Sequence, residues 1–296
     1  MISKTAMITI CGRPNVGKST LTNAFAGEKI AIVSDKPQTT RNRITAVCQR
    51  DDIQYVFMDT PGFHKPRTRL GDYMVNVVRQ SVADVDAVVM VVEPVANVGI
   101  QETELISSIR SSEAPAILAI NKIDTVEPGR ILEVIAAYKD LYEFDSIVPI
   151  SAKTGDGLDD LFDELTKFAV ESPALFPEGT TTDQPEKQVC AELIREKLLL
   201  NLDREIPHGT AVEITRFSER DNGIIDLEAT IFCEKQSHKG IIIGKGGAML
   251  KKIGESARQD IETFMGTKVF LQTWVKVKEN WRDSQAQLRN FGFREE

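Results

Sequence analysis

Short apolar runs alternate with longer amphipathic stretches over the first 172 residues. The short runs include MITIC, IQYVFM, AVVMVV, AILAI and SIVPI, and between them lie helix-like stretches such as YMVNVVRQ, ILEVIAAY and LDDLFDEL. This alternation is typical of βαβ units, because each parallel strand needs a crossover helix to return. The pattern predicts an α/β domain over residues 1–172, with a mostly parallel sheet and helices on both faces.

The pattern breaks at SPALFPEGTTTDQPE, residues 172–186. This stretch is rich in Pro, Gly and Thr and has little periodicity, which favours a linker over residues 173–186. Over residues 187–296 the pattern predicts a helix, two strands joined by a turn at Asp221-Asn222-Gly223, two helices around a glycine-rich loop, a strand and a terminal helix. This order predicts a second, smaller α+β domain.

Length and composition agree with two domains. The chain has 296 residues, 42% of them apolar, which is enough for two ordinary cores. Its formal net charge of -8 argues against a protein that coats nucleic acid over its whole surface. The charge is uneven, because residues 238–294 carry 11 Lys and Arg against 5 Asp and Glu. A local basic face is therefore expected in the C-terminal domain.

The cysteines and the apolar runs bear on the cellular compartment. Cys11, Cys48, Cys190 and Cys233 are scattered without a C-x-x-C pair, so we expect reduced thiols and no structural zinc. MISKTAMITICG is too short an apolar run for a signal peptide, and no run approaches the roughly 18 residues of a membrane span. We expect a soluble, cytoplasmic protein that can still contact a membrane peripherally.

The stretch GRPNVGKS, Gly12 to Ser19, matches G-x-x-x-x-G-K-[ST] and lies between an apolar strand and a helix. Such a loop wraps phosphates with backbone N–H groups, and the helix N-terminus adds its positive end. Lys18 is expected to reach the β- and γ-phosphates, and Ser19 to hold Mg²⁺. The context makes an accidental glycine-rich turn the weaker alternative, but this loop does not distinguish ATP from GTP.

Two later loops favour guanine. NKID, Asn121 to Asp124, follows the strand AILAI, so Asp124 can accept from the ring N–H and the amino group of guanine, which adenine lacks. Lys122 is expected to pack its stem along the base. SAK, Ser151 to Lys153, follows the next strand, where the Ala152 N–H is expected to donate to the guanine carbonyl. Either loop alone is ordinary, but together they predict a site that rejects adenine nucleotides.

DTPG, Asp59 to Gly62, supplies the remaining contacts. Asp59 is expected to position Mg²⁺ through water, and the Gly62 N–H to contact the γ-phosphate. Thr39 and Thr40 are both candidates for closing over Mg²⁺; spacing does not choose between them, and we favour Thr40. Ordinary turn threonines in a mobile loop are the alternative.

The predicted ligand is therefore GTP or GDP with Mg²⁺. Catalytic roles are expected for Asn15, Lys18, Thr40, Asp59 and Gly62. Nucleotide contacts are expected from these residues: Gly12, Arg13, Pro14, Asn15, Val16, Gly17, Lys18, Ser19, Thr20, Thr39, Thr40, Asp59, Gly62, Asn121, Lys122, Asp124, Ser151, Ala152 and Lys153.

These elements, in this order, resemble a translation-factor-class GTPase. Many such proteins place a glutamine after the DTPG glycine to orient the attacking water, whereas this chain has Phe63, which cannot do so. Several bacterial members have an apolar residue there and rely on K⁺ coordinated by an asparagine of the first loop. The resemblance implies that role for Asn15, with Phe63 turned aside. A general-base role for His64 is the weaker alternative, because phosphoryl transfer needs positioning more than a base.

The C-terminal domain contains GKGG, Gly244 to Gly247, between an apolar Ile run and a basic amphipathic helix. In KH domains a G-x-x-G loop lets two helices meet closely enough to clamp the backbone of about four single-stranded nucleotides. A plain helix–helix turn is the alternative, but the element order fits the KH form with the first helix leading (type II). Basic residues cluster around the loop to meet phosphate: Lys239, Lys245, Lys251, Lys252 and Arg258.

Over essentially the whole chain, the two halves resemble the Era family of bacterial GTPases. The stretches that carry the resemblance are GRPNVGKST, QTTR, DTPGFHKP, NKID, SAK, IREKLL, IIIGKGG and WVKVKENWR. The resemblance implies binding near the 3′ end of small-subunit ribosomal RNA, GTP-dependent assistance of 30S subunit maturation and a peripheral contact with the inner membrane. RNA contacts are expected from these residues: Ile243, Gly244, Lys245, Gly246, Gly247, Lys251, Lys252, Lys276, Lys278, Trp281 and Arg282.

Two other functions stay open at this point. The chain could signal at the membrane or to the division machinery, with the C-terminal domain as a protein- or lipid-interaction module. It could also be a constitutive RNA chaperone with a vestigial nucleotide site. We expect instead a monomeric GTPase switch in which RNA and GTP alter each other's binding.

Overall fold

The computed structural model describes residues 2–63, 65–83 and 85–293. Its residue contacts divide the chain into two compact units. Unit 1 contains the residues up to Ala31, Thr40–Arg67 and Gly71–Asp183, and unit 2 contains Ile32–Thr39, Thr68–Leu70 and the residues from Gln184 onward. The main division, after Asp183, lies within the stretch 173–186 that the sequence predicted as a linker, whereas the sequence did not single out the two short N-terminal segments that belong to unit 2.

The strands of unit 1 form one sheet. Among the described residues these strands are β1 Lys4–Cys11, β2 Ile44–Arg50, β3 Ile53–Asp59, β4 Ala87–Val92, β5 Ala116–Ile120, β6 Ser146–Pro149 and β7 Val170–Glu171. Their order is β2-β3-β1-β4-β5-β6, with β7 paired to β1. All neighbours are parallel except β2 on β3 and β7 on β1. The predicted mostly parallel sheet is confirmed, whereas the sequence did not predict β2 or β7.

Helices cover both faces of this sheet. They are α1 Lys18–Ala26, α2 Arg69–Ser81, α3 Ile100–Ser112, α4 Pro128–Lys139 and α5 Leu158–Thr166. Successive side chains of a strand point to opposite faces. In β5, Ile117 and Ala119 therefore pack in the core with α1 and α5, whereas Leu118 and Ile120 pack in the core with α2, α3 and α4.

The stretch predicted as a linker is fixed to unit 1 over most of its length. The side-chain amide of Gln54 binds the backbone of Leu175 and Phe176. Farther along, the Val47 N–H donates to the Thr181 carbonyl over 2.8 Å. The predicted linker is therefore bound beside β2 and β3 up to about its last residues, which the composition alone did not indicate.

Unit 2 is an α+β fold, as predicted. Its elements are α6 Glu186–Asn201, β8 Ala211–Glu219, β9 Ile225–Cys233, α7 Gln236–Ile243, α8 Ala248–Met265, β10 Val269–Val277 and α9 Gln285–Asn290. The sheet order is β10-β9-β8, with β10 parallel to β9 and β8 antiparallel to it. The turn predicted at Asp221 to Gly223 is present, with Gly223 at a φ of 77°. Across the described part of the chain, no helix is both long and apolar enough to cross a membrane.

Candidate functional site

The first glycine-rich loop joins β1 to α1, as predicted. Gly17, just before α1, has a φ of 100°, and a Cβ atom there would lie 2.2 Å from Nδ2 of Asn121. Only glycine fits this position, because any side chain would meet Asn121 as well as the unfavourable backbone angle. Lys18 is buried, and its Nζ donates to the carbonyls of Gly12 and Arg13 over 3.2 and 2.9 Å. The loop thus curls around its own lysine.

The side chains of Lys18 and Asp59, which carry opposite charges, are both buried beside this loop. Burial raises the pKa of Asp59 to about 6, although Lys18 and the Ser19 hydroxyl act to lower it. Burial likewise lowers the pKa of Lys18, against the influence of Asp59. Neither charge is fully compensated by its protein neighbours, so the site favours ligands that bring both anionic and cationic groups.

The predicted magnesium residues lie together. Oγ of Ser19 donates to Oδ2 of Asp59 over 2.7 Å and lies 2.8 Å from Oγ1 of Thr40. Oδ1 of Asp59 is buried without a hydrogen-bond partner among the described residues. Hydroxyl and carboxylate oxygens suit Mg²⁺, which keeps several waters and phosphate oxygens as its other ligands. The residues present therefore fit Mg²⁺.

The structure distinguishes the two candidate threonines. Thr40 contacts Ser19, whereas the hydroxyl of Thr39 lies 2.6 Å from the Lys36 carbonyl and 2.7 Å from the Ser34 hydroxyl. This geometry favours the prediction that Thr40 closes over Mg²⁺, whereas the Thr39 side chain holds its own turn.

The two guanine loops are tied to each other and to the first loop. Nδ2 of Asn121 donates to the Val16 carbonyl over 2.8 Å, and its Oδ1 accepts from the Ala152 N–H over 2.9 Å. Asn121 thus takes the Ala152 N–H in this structure, and the contact of that N–H with the guanine carbonyl stays a prediction. Oγ of Ser151 donates to Oδ1 of Asp124 over 2.7 Å, which orients the carboxylate expected to recognise the base.

Lys122 links the second loop to the first. Its Nζ donates to the Asn15 carbonyl over 2.6 Å and pairs with Glu93 over 2.5 Å. The sequence did not single out Glu93, or the buried Glu102 that pairs with Arg13. The signal for Glu93 was its position, directly after the buried strand β4, where side chains reach the carboxyl edge of the sheet. Of the other predicted nucleotide contacts, Pro14 lies in the first loop, Thr20 in the first turn of α1 and Lys153 in the SAK loop.

Phe63 is turned away from the nucleotide loops. Its ring is 4% exposed and packs in the core with Val75, Val78 and Val82, while its N–H donates to the Gly12 carbonyl over 3.1 Å. Gly62 lies against the first loop, since a Cβ there would be 2.7 Å from Cα of Pro14. The expectation that Phe63 turns aside is supported by this packing. His64 lies outside the described residues.

The second glycine loop joins α7 to α8 with little room at its first position. Gly244 has a φ of 72°, and a Cβ there would lie 2.7 Å from Cβ of Met249. At Gly247, by contrast, no atom lies within 4 Å of the Cβ position, so its backbone faces open space. The expected RNA contacts Lys245, Gly246, Lys251 and Lys252 are exposed, and Ile243 is half-buried beside them.

A groove of about 350 Å³ continues from this loop between α8 and β10. Lys251 and Arg258 lie along it, and Gly254 leaves its middle open. The remaining lining residues are Gly247, Leu250, Glu255, Leu271 and Thr273. The sequence did not single out Leu250, Gly254, Glu255 or the two β10 residues, although positions 250, 251, 254, 255 and 258 share one face of α8.

Of the expected RNA residues, Trp281 is corrected by its burial, and Arg282 has a protein partner. Trp281 is fully buried, its Nε1 donates to the Gly209 carbonyl over 2.9 Å, and its ring contacts Phe291. Arg282 is paired with Glu234 through two hydrogen bonds. Trp281 is a core residue in this structure, because a fully buried ring has no face for a base. Glu234 engages two of the five N–H donors of Arg282, and an RNA contact of Arg282 stays a prediction.

Lys276 and Lys278, two further expected RNA contacts, have different surroundings. Lys278 lies 5.2 Å from the ring centre of Phe232 and 5.4 Å from that of Phe291, whereas Lys276 is exposed. Lys276 is therefore the better placed of the two for phosphate.

Two family models match the chain. One is described as a 50S ribosome-binding GTPase and spans residues 7–122, and the other is described as a KH domain and spans residues 205–282. The first covers β1 to the start of the NKID loop, and the second covers the GKGG loop and its groove.

Relatives and solved structures extend the similarity to the whole chain. GTPase Era of Ruminiclostridium cellulolyticum is 49% identical over 294 residues, which cover 99% of each chain. GTPase Era of Clostridioides difficile is 49% identical over 292 residues, which cover 98% of each. A crystal structure of Era with MgGDPNP and nucleotides 1506–1542 of 16S ribosomal RNA is 36% identical, with a TM-score of 0.94 over 98% of this chain and 99% of that one. Because relatives this similar cover both the nucleotide loops and the KH loop, the chain belongs to the GTPase Era family.

Proposed function

We propose that this chain is a GTP-hydrolysing switch that binds single-stranded RNA at the 3′ end of small-subunit ribosomal RNA and assists 30S subunit maturation. The observation that carries the RNA part is the groove that continues from the GKGG loop between α8 and β10. The solved Era complex with 16S ribosomal RNA supports this choice of RNA.

At the nucleotide, the residues of the chain act mainly by positioning. Lys18 offers a buried ammonium to the phosphates, and Ser19 and Thr40 present hydroxyls beside Asp59. Mg²⁺, when bound there, neutralises negative charge on the phosphates. With Phe63 packed in the core, its side chain leaves the attacking water to backbone groups. This arrangement suits phosphoryl transfer, in which electrostatic stabilisation and alignment of the reacting groups supply most of the rate enhancement.

At the RNA, the loop and the groove offer complementary contacts. The open backbone at Gly247 lets a sugar-phosphate approach closely, and Lys245 and Lys251 add positive charge. The apolar walls at Leu250 and Leu271 can accept the faces of bases. We therefore expect a salt-dependent affinity with a preference for unpaired RNA.

The decisive experiment is steady-state GTP hydrolysis in K⁺ buffer with a short RNA matching the 3′ end of small-subunit ribosomal RNA. A scrambled RNA of equal length is the control. Stimulation by the matched RNA alone would support one RNA-responsive switch. Turnover without any response would leave the GTPase and remove the coupling.

A second assay distinguishes the candidate binding partners from one another. Co-sedimentation with purified 30S subunits, 50S subunits and anionic-lipid vesicles is expected to give binding to 30S subunits, reduced by exchanging both Gly244 and Gly247 for Asp. Binding to 50S subunits alone would contradict the small-subunit assignment. Vesicle binding that survives the double substitution would favour the membrane-signalling alternative, and the peripheral membrane contact stays a prediction until then.

Filling the groove should weaken RNA binding without unfolding the protein. Gly254 lines the groove, and no atom lies within 4 Å of its Cβ position. We expect Gly254→Leu to lower RNA affinity about tenfold because the side chain occupies space meant for a base. Gly240→Leu is a matched control, since Gly240 is also helical and open but does not line this groove. Fluorescence anisotropy with labelled RNA measures both.

A third variant, Gly254→Ala, tests the effect of this position on stability apart from its effect on RNA binding. A helical glycine costs about 0.5–1 kcal/mol relative to Ala, so Gly254→Ala should raise the free energy of unfolding by about that amount. Equal RNA affinities for Gly254→Leu and the unsubstituted protein would show that the groove does not hold RNA.

Potassium dependence tests the role expected for Asn15. We expect hydrolysis to be at least about tenfold faster in KCl than in NaCl, a small part of what an arginine finger supplies. Asn15 has a φ of 66°, so Asn15→Gly removes its side chain without backbone strain and should abolish the difference. Equal rates of the unsubstituted protein in the two salts would contradict the K⁺ hypothesis and leave the GTPase assignment intact.

A further inference from the structure

Glu102 is a buried carboxylate in the first turn of α3, to which the proposed GTPase function gives no role. It is only 2% exposed. Its Oε2 accepts from the Gly99 N–H over 3.0 Å at the start of the helix. Its Oε1 accepts no hydrogen bond among the described residues and forms an ion pair with Nε of Arg13 in the first glycine-rich loop. Because a buried carboxylate is costly unless its charge is compensated, this ion pair constrains Arg13 strongly.

Arg13 connects this carboxylate to the phosphate-binding lysine. The side chain of Arg13 pairs with Glu102, while its backbone carbonyl accepts from Nζ of Lys18 over 2.9 Å. Nη2 of Arg13 also lies 3.7 Å from Oε2 of Glu93, whose side chain is 31% exposed. Partly exposed ion pairs contribute little, whereas a buried pair that is broken leaves an uncompensated charge. Glu102 is therefore the main partner that fixes the position of Arg13.

The first loop needs such anchors, because its backbone conformation is not one that the chain favours by itself. Asn15 has a φ of 66° and Gly17 a φ of 100°, both in the left-handed region, which is uncommon outside glycine. The NKID loop holds the carbonyls of Asn15 and Val16 over 2.6 and 2.8 Å. Glu102 holds the start of the loop, at Arg13. All of these residues lie in unit 1.

We propose that Glu102 is a positioning residue for phosphate binding: by pairing with Arg13, it fixes the part of the first loop that carries a carbonyl partner of Lys18. A loop already held in its binding conformation loses less conformational entropy when a phosphate binds. The inference rests on the proposed GTPase function and deepens it, because it gives α3 a part in binding the β-phosphate. Glu102 does not contact the nucleotide; it acts through Arg13.

Comparing GDP with GMP tests this role, because both carry guanine but only GDP has the β-phosphate that Lys18 is expected to reach. Glu102→Gln removes the charge that pairs with Arg13 and keeps an oxygen that can accept from the Gly99 N–H. Its GDP affinity should fall about tenfold, the loss expected when one contact to a charged group is weakened. Its GMP affinity should stay within about twofold. Titration calorimetry measures GDP directly and GMP by competition with GDP.

Arg13→Lys tests the other half of the pair and decides the question if Glu102→Gln does not fold. A lysine keeps the charge but lacks the guanidinium fork that reaches Glu102 and Glu93 together. It should show the same selective loss of GDP affinity. Because both changes break one interaction, the double variant should lose no more GDP affinity than the weaker-binding single variant.

The matched control is Glu104→Gln, which makes the same chemical change at an exposed position of α3. Both of its affinities should stay within about twofold, as surface changes usually do. Urea unfolding shows which variants are folded.

A loss confined to GDP in the folded variants supports the proposal. Equal losses of GDP and GMP affinity would show that Glu102 only stabilises the fold and would overturn it. Unchanged GDP affinity in folded Glu102→Gln would overturn it too, as would losses that add in the double variant, because the two residues would then act separately. No guanine nucleotide binding by the unsubstituted chain would instead overturn the proposed function, and this inference with it.

Discussion

Asp124→Asn is expected to lower GTP affinity by about 10⁴-fold, because a site built to hydrogen-bond a polar group rejects a ligand that leaves its own groups unpaired. The carboxylate accepts from two guanine N–H groups in our proposal, and an amide offers one acceptor and one donor instead. The donor would face the guanine amino group and repel it. Xanthosine triphosphate, which has a carbonyl in place of that amino group, should bind the variant better than GTP does.

The structure provides a matched control for this change. Asp156 lies in the neighbouring loop, is exposed, and accepts from the Thr154 hydroxyl over 2.7 Å. Asp156→Asn makes the same chemical change and should leave GTP affinity within about twofold, as surface changes usually do. Titration with fluorescent GTP and xanthosine triphosphate measures both variants. A variant at Asp124 that binds GTP normally would contradict the guanine assignment of the NKID loop.

Trp281→Ala is expected to destabilise unit 2 by about 3–5 kcal/mol, the usual cost of removing a large buried aromatic side chain. The ring is fully buried between Phe291 and Phe293, and its N–H satisfies the Gly209 carbonyl. Removing it opens a cavity and leaves a buried acceptor without this donor. The change should therefore act on folding before it acts on RNA.

Trp274→Ala is the matched control, because Trp274 is 43% exposed in β10 and should cost less than about 1 kcal/mol. The chain has two tryptophans, and both lie in unit 2, so their fluorescence in a urea titration reports that unit. The result that would contradict this account is an unchanged transition for Trp281→Ala together with a loss of RNA affinity. The ring would then contact RNA, as the sequence suggested.

The nucleotide loops were predictable because each follows a strand. Parallel strands bring their carboxyl ends to one edge of the sheet, so motifs that follow β1, β3, β5 and β6 meet there. That rule placed Lys18, Asp59 and Asp124 in one site without any coordinates. It did not show which partners the loop amides take, and the structure gives the Ala152 N–H to Asn121. A short spacing also could not separate Thr39 from Thr40, since adjacent residues point in different directions only once the backbone is fixed.

The tryptophans show the same limit in unit 2. Lys276, Lys278 and Arg282 alternate with Trp274 and Trp281 in WVKVKENWR, which indicates a basic, aromatic RNA surface. Strand β10 ends at Val277, and the turn that follows carries Trp281 into the core. Once the strand ends, its period of two no longer decides which side chains face solvent.

By itself, the sequence determined two domains, a mostly parallel sheet, a complete set of guanine-nucleotide loops and a KH loop. These are local properties, because periodicity, glycine positions and strand-end motifs act over a few residues. Only the tertiary structure showed that Trp281 is a core residue, that Thr40 rather than Thr39 contacts Ser19, and that Arg195 of α6 binds the Thr39 carbonyl. These depend on contacts between residues far apart in the chain, such as the 156 positions that separate Arg195 from Thr39, and no local pattern records such a pairing.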